Sequence, residues 1–221
     1  MNFVKKKIRT WKDNLDKKGF DINCLKSYTF INIGAGLTKI DIATNIDISK
    51  RADISVNLNE DKLPFDDDCV DLIYSDHTLE HINNYLHLIN EIHRVLKPGG
   101  CLLVGVPYVT LTKYNLVNPY HVHNFNEYSF DFFDQSKIAG SAAEENGVDL
   151  RCLKVNYRYL GIFRFLFGAR NLARKYLFNT VRDIRYLVVK GEQKSELTGQ
   201  IENSFPQVYE MISKLRRRYI N

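Results

Sequence analysis

Cysteine is scarce and unpaired in this sequence: Cys24, Cys69, Cys101 and Cys152 lie far apart, with no CxxC spacing. That excludes a zinc knuckle or a disulfide framework and fits a reducing cytoplasm. No apolar run reaches the roughly 18 residues that a membrane-spanning helix requires. The lysines at 5–7 have no apolar h-region behind them, so the N-terminus does not read as a secretory signal. No GxxxxGK[ST] loop occurs, which excludes a Walker-type phosphate cradle. The complete GxGxxG fingerprint is missing too, because Leu37-Thr38-Lys39 follow Gly36. Internal repeats, low-complexity segments and RNA- or DNA-binding motifs are all absent, so no nucleic-acid partner is expected.

What remains is an ordinary globular balance. The 221 residues are 44% hydrophobic and 26% charged, enough for one domain with elaborations. The net charge of +5 is unevenly placed. Residues 1–18 carry seven Lys/Arg against two Asp, and residues 151–190 carry ten against one. Residues 41–80 hold eleven Asp/Glu. This is either an acidic half beside a basic surface that meets an anionic partner, or a set of solvated helix faces.

Along the chain, residues 3–18 read as a basic amphipathic helix through Phe3, Val4, Ile8, Trp11 and Leu15, with Gly19 as its stop. Short apolar strands are expected at 28–33, 42–47, 53–58, 70–75, 101–107, 148–157 and 184–190. Leu79, Ile82, Leu86, Ile89, Ile92 and Leu96 recur at helical spacing until Lys97-Pro98-Gly99-Gly100 ends the stripe. Residues 127–146 read as a further helix, 158–183 as a basic, aromatic helical insertion, and 196–221 as a terminal helix interrupted at Pro206. Strands alternating with helices and turn glycines predict a mostly parallel sheet with helices on its faces.

Two features sit where such sheets bind ligands. Phe30-Ile-Asn-Ile-Gly34-Ala-Gly36 ends a buried strand in glycines, which let a ligand approach the backbone. Asp47, at the end of the next strand, stands where a carboxylate can accept two hydrogen bonds from a ribose diol. Six histidines are present, and three have chemically useful positions. His77 follows the fourth strand, His81 lies one helical turn further on, and His121 belongs to the loop after the fifth strand, in Asn118-Pro-Tyr-His121-Val-His123. An imidazole there suits a general base near neutral pH, His121 first and His77 second. His77, Glu80 and His81 also read as H-x-x-E-H, so a metal-assisted enzyme or hydrolase stays open, although no other zincin context accompanies them.

Taken together, residues 30–107 resemble the class I S-adenosylmethionine-dependent methyltransferases, in particular the small bacterial type 11-like branch. The blocks run INIGAG, NIDI, ADI, NL, LPFDDDCVDLIYSDHTLEHI and EIHRVLKPGGCLLVGVP, in that family's order and spacing. The resemblance implies a Rossmann-like, doubly wound α/β fold with seven mostly parallel strands, the last two forming a C-terminal β-hairpin pair. It implies S-adenosylmethionine as cofactor, held by Asn32, Gly34, Ala35, Gly36, Asp47, Ile48, Asn57, Leu58, Ser75, Asp76 and His77. Gly34 and Gly36 would face the methionine part, Asp47 the ribose, Asn57 and Leu58 the adenine, and Ser75 and Asp76 the sulfonium. The family usually has aspartate at position 57, so Asn57 keeps an acceptor but loses charge.

One prediction comes from counting residues. Ten residues separate Gly36 from Asp47. A helical crossover between parallel strands normally needs a dozen or more, so the first crossover helix should be short or absent. The expected organisation is a basic extension at 1–28, a cofactor half at 29–110, an acceptor half at 111–195 and a terminal helix at 196–221. The expected activity is methyl transfer, with O-methylation of a sugar or surface-glycan precursor as the preferred acceptor class. A non-catalytic binding or assembly subunit is the rival. The basic, aromatic insertion would either cover the acceptor site or rest peripherally on an anionic membrane face.

Overall fold

In the computed structural model, residues 20–138, 147–166 and 168–218 are described. The amphipathic stretch at 3–18 lies outside them, as does the end of the helix expected over 127–146.

Nine strands form among the described residues: β1 (Phe30–Ile33), β2 (Thr38–Lys39), β3 (Thr44–Asp47), β4 (Ile54–Ser55), β5 (Val70–Asp76), β6 (Leu96–Pro107), β7 (Leu150–Tyr159), β8 (Val181–Lys190) and β9 (Arg217–Arg218). Seven make one sheet in the order β4-β3-β1-β5-β6-β8-β7. Pairing is parallel from β4 through β6, and β8 then runs antiparallel to both β6 and β7. This is the α/β architecture expected, including the hairpin pair at the C-terminal edge.

The central strands are buried on both faces, and their period-two alternation divides the core in two. Ile31, Ile33, Ile73, Leu102, Val104, Ile184 and Tyr186 face one cluster, where helix α1 (Tyr85–Val95) inserts Leu88, Ile89, Ile92 and Val95. Phe30, Leu72, Tyr74, Cys101, Leu103 and Leu187 face the other. That second face is covered by helices α3 (Glu196–Ser204) and α4 (Gln207–Leu215) through Leu197, Ile201, Val208, Tyr209 and Ile212. Helix α2 (Arg170–Tyr176) lies in the insertion between β7 and β8.

No helix joins β1 to β3. The crossover is a turn carrying β2, which pairs antiparallel with β9 from the C-terminus. A helix would have satisfied its own backbone groups; here the Asn45 carboxamide does so. Its Oδ1 accepts from the Ile40 amide at 2.9 Å and from Asn32 Nδ2 at 3.0 Å. Its Nδ2 donates to the carbonyls of Ile40 and Ala43 and to Asp53. The apolar surface on that side, including Phe30 and Ile40, is closed by α3 and α4.

Several expected elements are corrected. The helical stripe from Leu79 is broken at Asn83-Asn84: Leu79–His81 forms a separate 3-10 turn, and α1 begins only at Tyr85. Residues 127–138 contain turns and a 3-10 turn at Asp131–Phe133 rather than an α-helix. Local polar side chains intercept the backbone there: Asn126 Oδ1 accepts from the Tyr128 amide, and Asp134 Oδ1 accepts from Ser136. The 158–183 segment is mostly the end of β7, a 3-10 turn at Gly161–Arg164 and α2. Buried Arg174 anchors α2 by pairing with Glu127 and stacking over Tyr157 at 4.4 Å. The terminal segment splits at Pro206 into α3 and α4, as its proline predicts.

Candidate active site

The carboxyl ends of β1, β3, β4 and β5 converge on a cleft of about 260 Å³. Its lining brings together Gly34, Gly36, Asp47, Ile48, Asn57, Leu58 and His77 from the sequence-derived set. Val56, Asn59, Thr78, His81 and Ile82 complete it.

The glycine turn is held by β3. The amides of Gly34 and Ala35 both donate to the Ile46 carbonyl, and the Gly36 amide donates to Asp47 Oδ2 at 2.8 Å. Gly34 has φ +71°, and a Cβ there would lie 2.0 Å from Thr78 Oγ1. Gly36 also has positive φ, +60°, but a Cβ on it would meet nothing. Asp47 takes the Ser49 amide on its other oxygen at 2.9 Å. Two backbone donors therefore fix this carboxylate while leaving lone pairs for a hydroxyl-bearing ligand. Asn57 Oδ1 already accepts the Asn59 amide at 3.2 Å and retains one lone pair.

Four residues of the expected cofactor set lie elsewhere. Asn32 is buried against Asn45, and Ala35 and Ser75 are buried within the fold. Asp76 engages the C-terminal segment: Tyr209 donates to its Oδ1 at 2.6 Å, and Arg216 pairs with its Oδ2. No carboxylate from position 76 therefore joins the cleft lining, because the C-terminal helix that replaces the crossover claims it.

His77 adopts φ +56°, uncommon for a residue with a side chain, directly at the end of β5. Its amide donates to the Gly105 carbonyl at 2.8 Å, and its Nδ1 lies 3.2 Å from Glu80 Oε1. Partial burial pulls this imidazole down. The hydrogen bond to Glu80 and the charges of Asp76, Glu80 and Asp183 outweigh it and raise its pKa. His121, ranked first as base from the sequence, is not among the residues lining the cleft; its ring lies edge-on to His81 at 4.6 Å between centroids. Burial lowers its pKa, helped by the His81 and His77 charges and opposed by Glu80. His123 is a packing residue, with Nε2 2.9 Å from the Ile82 carbonyl and its ring 5.0 Å from Tyr85.

Residues 21–104, which contain every strand end around the cleft, match the family model described as a methyltransferase domain. Within related sequence, the chain is 36% identical over 98 residues to the sterol 4-C-methyltransferase of Caenorhabditis elegans, covering 38% of this chain and 29% of that protein. It is 43% identical over 54 residues to a demethylmenaquinone methyltransferase of Staphylococcus epidermidis, covering 23% and 22% respectively. The chain thus spans less than a third of the length of either relative. The likeness in fold extends further than the sequence match. A SAM-dependent methyltransferase structure from Archaeoglobus fulgidus superposes with TM-score 0.53 over 86% of this chain and 94% of that one, at 14% identity.

Sequence reasoning missed Thr78 and Asn59, for which no local signal exists. Glu80 entered that reasoning only within the H-x-x-E-H pattern; the structure adds that it is fully buried and contacts His77. Its position between His77 and His81 was the available clue.

Proposed function

We propose that the chain is an S-adenosylmethionine-dependent methyltransferase whose cofactor occupies the cleft above Gly34 and Gly36. The observation that carries this reading is the Asp47 carboxylate, fixed by the amides of Gly36 and Ser49 in a methyltransferase-domain cleft and still able to accept hydroxyl donors. Asp47 would hold the ribose, Asn57 with Leu58 the adenine, and the Gly34–Gly36 turn the methionine part. When bound, the cofactor supplies an electrophilic methyl group on a sulfonium.

The chain's own contribution is chiefly placement, since holding two reactants at attack geometry can be worth about 7–11 kcal/mol. His77 lines the cleft and donates Nδ1–H to buried Glu80, which leaves its Nε2 as the lone-pair nitrogen. We assign it the role of base toward an acceptor hydroxyl, oriented by that carboxylate. A sugar or glycan-precursor hydroxyl is the acceptor class favoured, on family resemblance. The relatives are named for a sterol and for demethylmenaquinone, so an acceptor screen should carry all three classes. Exposed Phe165, Tyr176 and Phe178 beside Arg164 and Lys175 support peripheral contact with an anionic membrane surface. Absence of co-sedimentation with anionic phospholipid vesicles would remove that part of the reading.

Calorimetric titration with S-adenosylmethionine and S-adenosylhomocysteine, repeated on Asp47→Ala, tests the proposal. The expected result is saturable binding by the parent and a loss of at least tenfold in the variant. Folded protein that binds neither ligand, with or without the acceptor panel, would leave the non-catalytic subunit as the better reading.

A further inference from the structure

Beside the cleft, three side chains that could each offer a metal-ligand atom lie close together. Glu80 is the first. Its side chain is 1% exposed, its Oε1 accepts from His77, and its Oε2 has no hydrogen-bond partner. An unpaired buried oxygen of this kind costs about 1–3 kcal/mol, more when charged, so the position calls for a cationic or donor partner.

His81 is the second. Its Nδ1 lies 2.9 Å from the Tyr120 carbonyl, which can only accept. The proton is therefore on Nδ1, and Nε2 carries the lone pair, 4.0 Å from Glu80 Oε1. His121 is the third. Its Nδ1 lies 3.0 Å from Asn115 Oδ1. The Asn115 amide is oriented by its own bonds, with Nδ2 donating to Asn124 Oδ1 at 2.7 Å. Nδ1 of His121 is thus the donor, and its Nε2 is again the lone-pair nitrogen. The loop bearing His121 is pinned to the same residue, since the Val122 and His123 amides both point to the Glu80 carbonyl.

One potential ligand atom from each of Glu80, His81 and His121 lies within 4.8 Å of the others. Tetrahedral ligands at about 2.0–2.2 Å from an ion sit about 3.4 Å apart, so side-chain movements of about 1 Å would close the set. Histidines that donate their far nitrogen to a carbonyl or carboxamide, opposite a carboxylate itself hydrogen-bonded, form the supporting shell that metal sites require.

We propose that Glu80, His81 and His121 bind a divalent transition-metal ion of the zinc class, with Tyr120, Asn115 and His77 orienting the three ligands. Two imidazoles and one carboxylate suit such an ion better than magnesium or calcium, which prefer all-oxygen sets. A three-ligand site leaves a coordination position for water or another oxygen ligand. Because His81 also lines the cleft, the ion would sit at its rim. Its closeness to an acceptor rests on the methyltransferase reading; the binding of the ion does not.

The test uses full-length protein stripped with a chelator and titrated with zinc, and separately with cobalt(II), without cofactor. One equivalent of zinc should bind, and cobalt should give the intense visible absorption of a four-coordinate site. Glu80→Gln and His121→Gln should each weaken zinc binding at least tenfold. Asn115→Ala should weaken it about tenfold through the lost support, and His87→Ala, outside the cluster, should leave it unchanged. Circular dichroism checks that every variant is folded. A parent that binds no zinc, or folded cluster variants that bind it as the parent does, would overturn the proposal. Cofactor titration of the stripped protein reads the methyltransferase proposal separately, so either can fail alone.

Discussion

Gly34 and Gly36 share a left-handed backbone, yet they should respond very differently to the same substitution. Gly36→Ala adds a methyl group that meets nothing within 4 Å. Its cost is therefore conformational, about 1–2 kcal/mol for a side chain at positive φ. Loss of glycine's freedom in the unfolded chain offsets about 0.4–1 kcal/mol of that. The net destabilisation expected is about 1 kcal/mol. Gly34→Ala carries the same conformational cost and places Cβ 2.0 Å from Oγ1, 2.3 Å from Cγ2 and 2.6 Å from Cβ of buried Thr78. Overpacking of this kind adds about 1–3 kcal/mol, for a total of about 2–4 kcal/mol. Urea unfolding measures both, and the melting temperature should fall about 2–4 °C per kcal/mol for a chain of this size. The double variant Gly34→Ala/Thr78→Ala isolates the steric part. It should recover most of the difference between the two glycine positions, because the Thr78 hydroxyl contributes only long contacts of 3.4–3.5 Å to the carbonyls of Gly34 and Ile33. Equal losses at Gly34 and Gly36, or no recovery in the double variant, would refute this account of the turn.

Two further outcomes follow from the interior ion pairs. The hydrogen bond from Arg94, opposed by burial and aided by the Leu63 amide, lowers the pKa of Glu91. A depressed carboxylate adds stability that is complete above its unfolded pKa and is lost as pH falls through the folded value. The acid limb of the stability profile should accordingly be shallower in Glu91→Gln, and Arg94→Met, which strands the carboxylate, should cost about 3 kcal/mol near neutral pH. Superimposable acid profiles for parent and Glu91→Gln would contradict this. On the opposite face, Tyr209→Phe removes the 2.6 Å hydrogen bond to Asp76 and should cost about 1–2 kcal/mol in urea unfolding. An unchanged midpoint would mean that the C-terminal helix does not depend on that contact.

Much of this molecule can be read from local patterns. The strands at 30–33, 70–76 and 101–107 are apolar-rich on both of their faces because both sheet faces are covered, and that richness is visible without a structure. The missing crossover helix was legible from chain length alone, since the residues between Gly36 and Asp47 are too few to build one. Asp47 and the glycine turn could be located because their requirements are local: a carboxylate at a strand end, and a backbone with positive φ. The helix expected over 127–146 failed for the same kind of reason in reverse. Asn126, Ser129, Asp134 and Ser136 close turns on their own backbone, and the described part of that segment follows them rather than its apolar spacing.

The rest depended on residues distant in sequence. Asp76 sits beside His77 in the chain, yet Tyr209 and Arg216, more than 130 positions later, decide that it faces the C-terminal helix. Glu80 reads only as the carboxylate of an H-x-x-E-H pattern until the fold buries it and leaves one oxygen unpartnered. The protonated nitrogens of His81 and His121 are set by Tyr120 and Asn115, residues that carry no motif. The amino-acid sequence by itself determined the strands, the cleft-forming turn and the absent crossover, because each follows from periodicity, φ requirements or contour length within a few residues. Only the tertiary structure decided which carboxylates face the cleft and which nitrogens keep a lone pair, because burial and hydrogen-bond partnership are properties of packed neighbours.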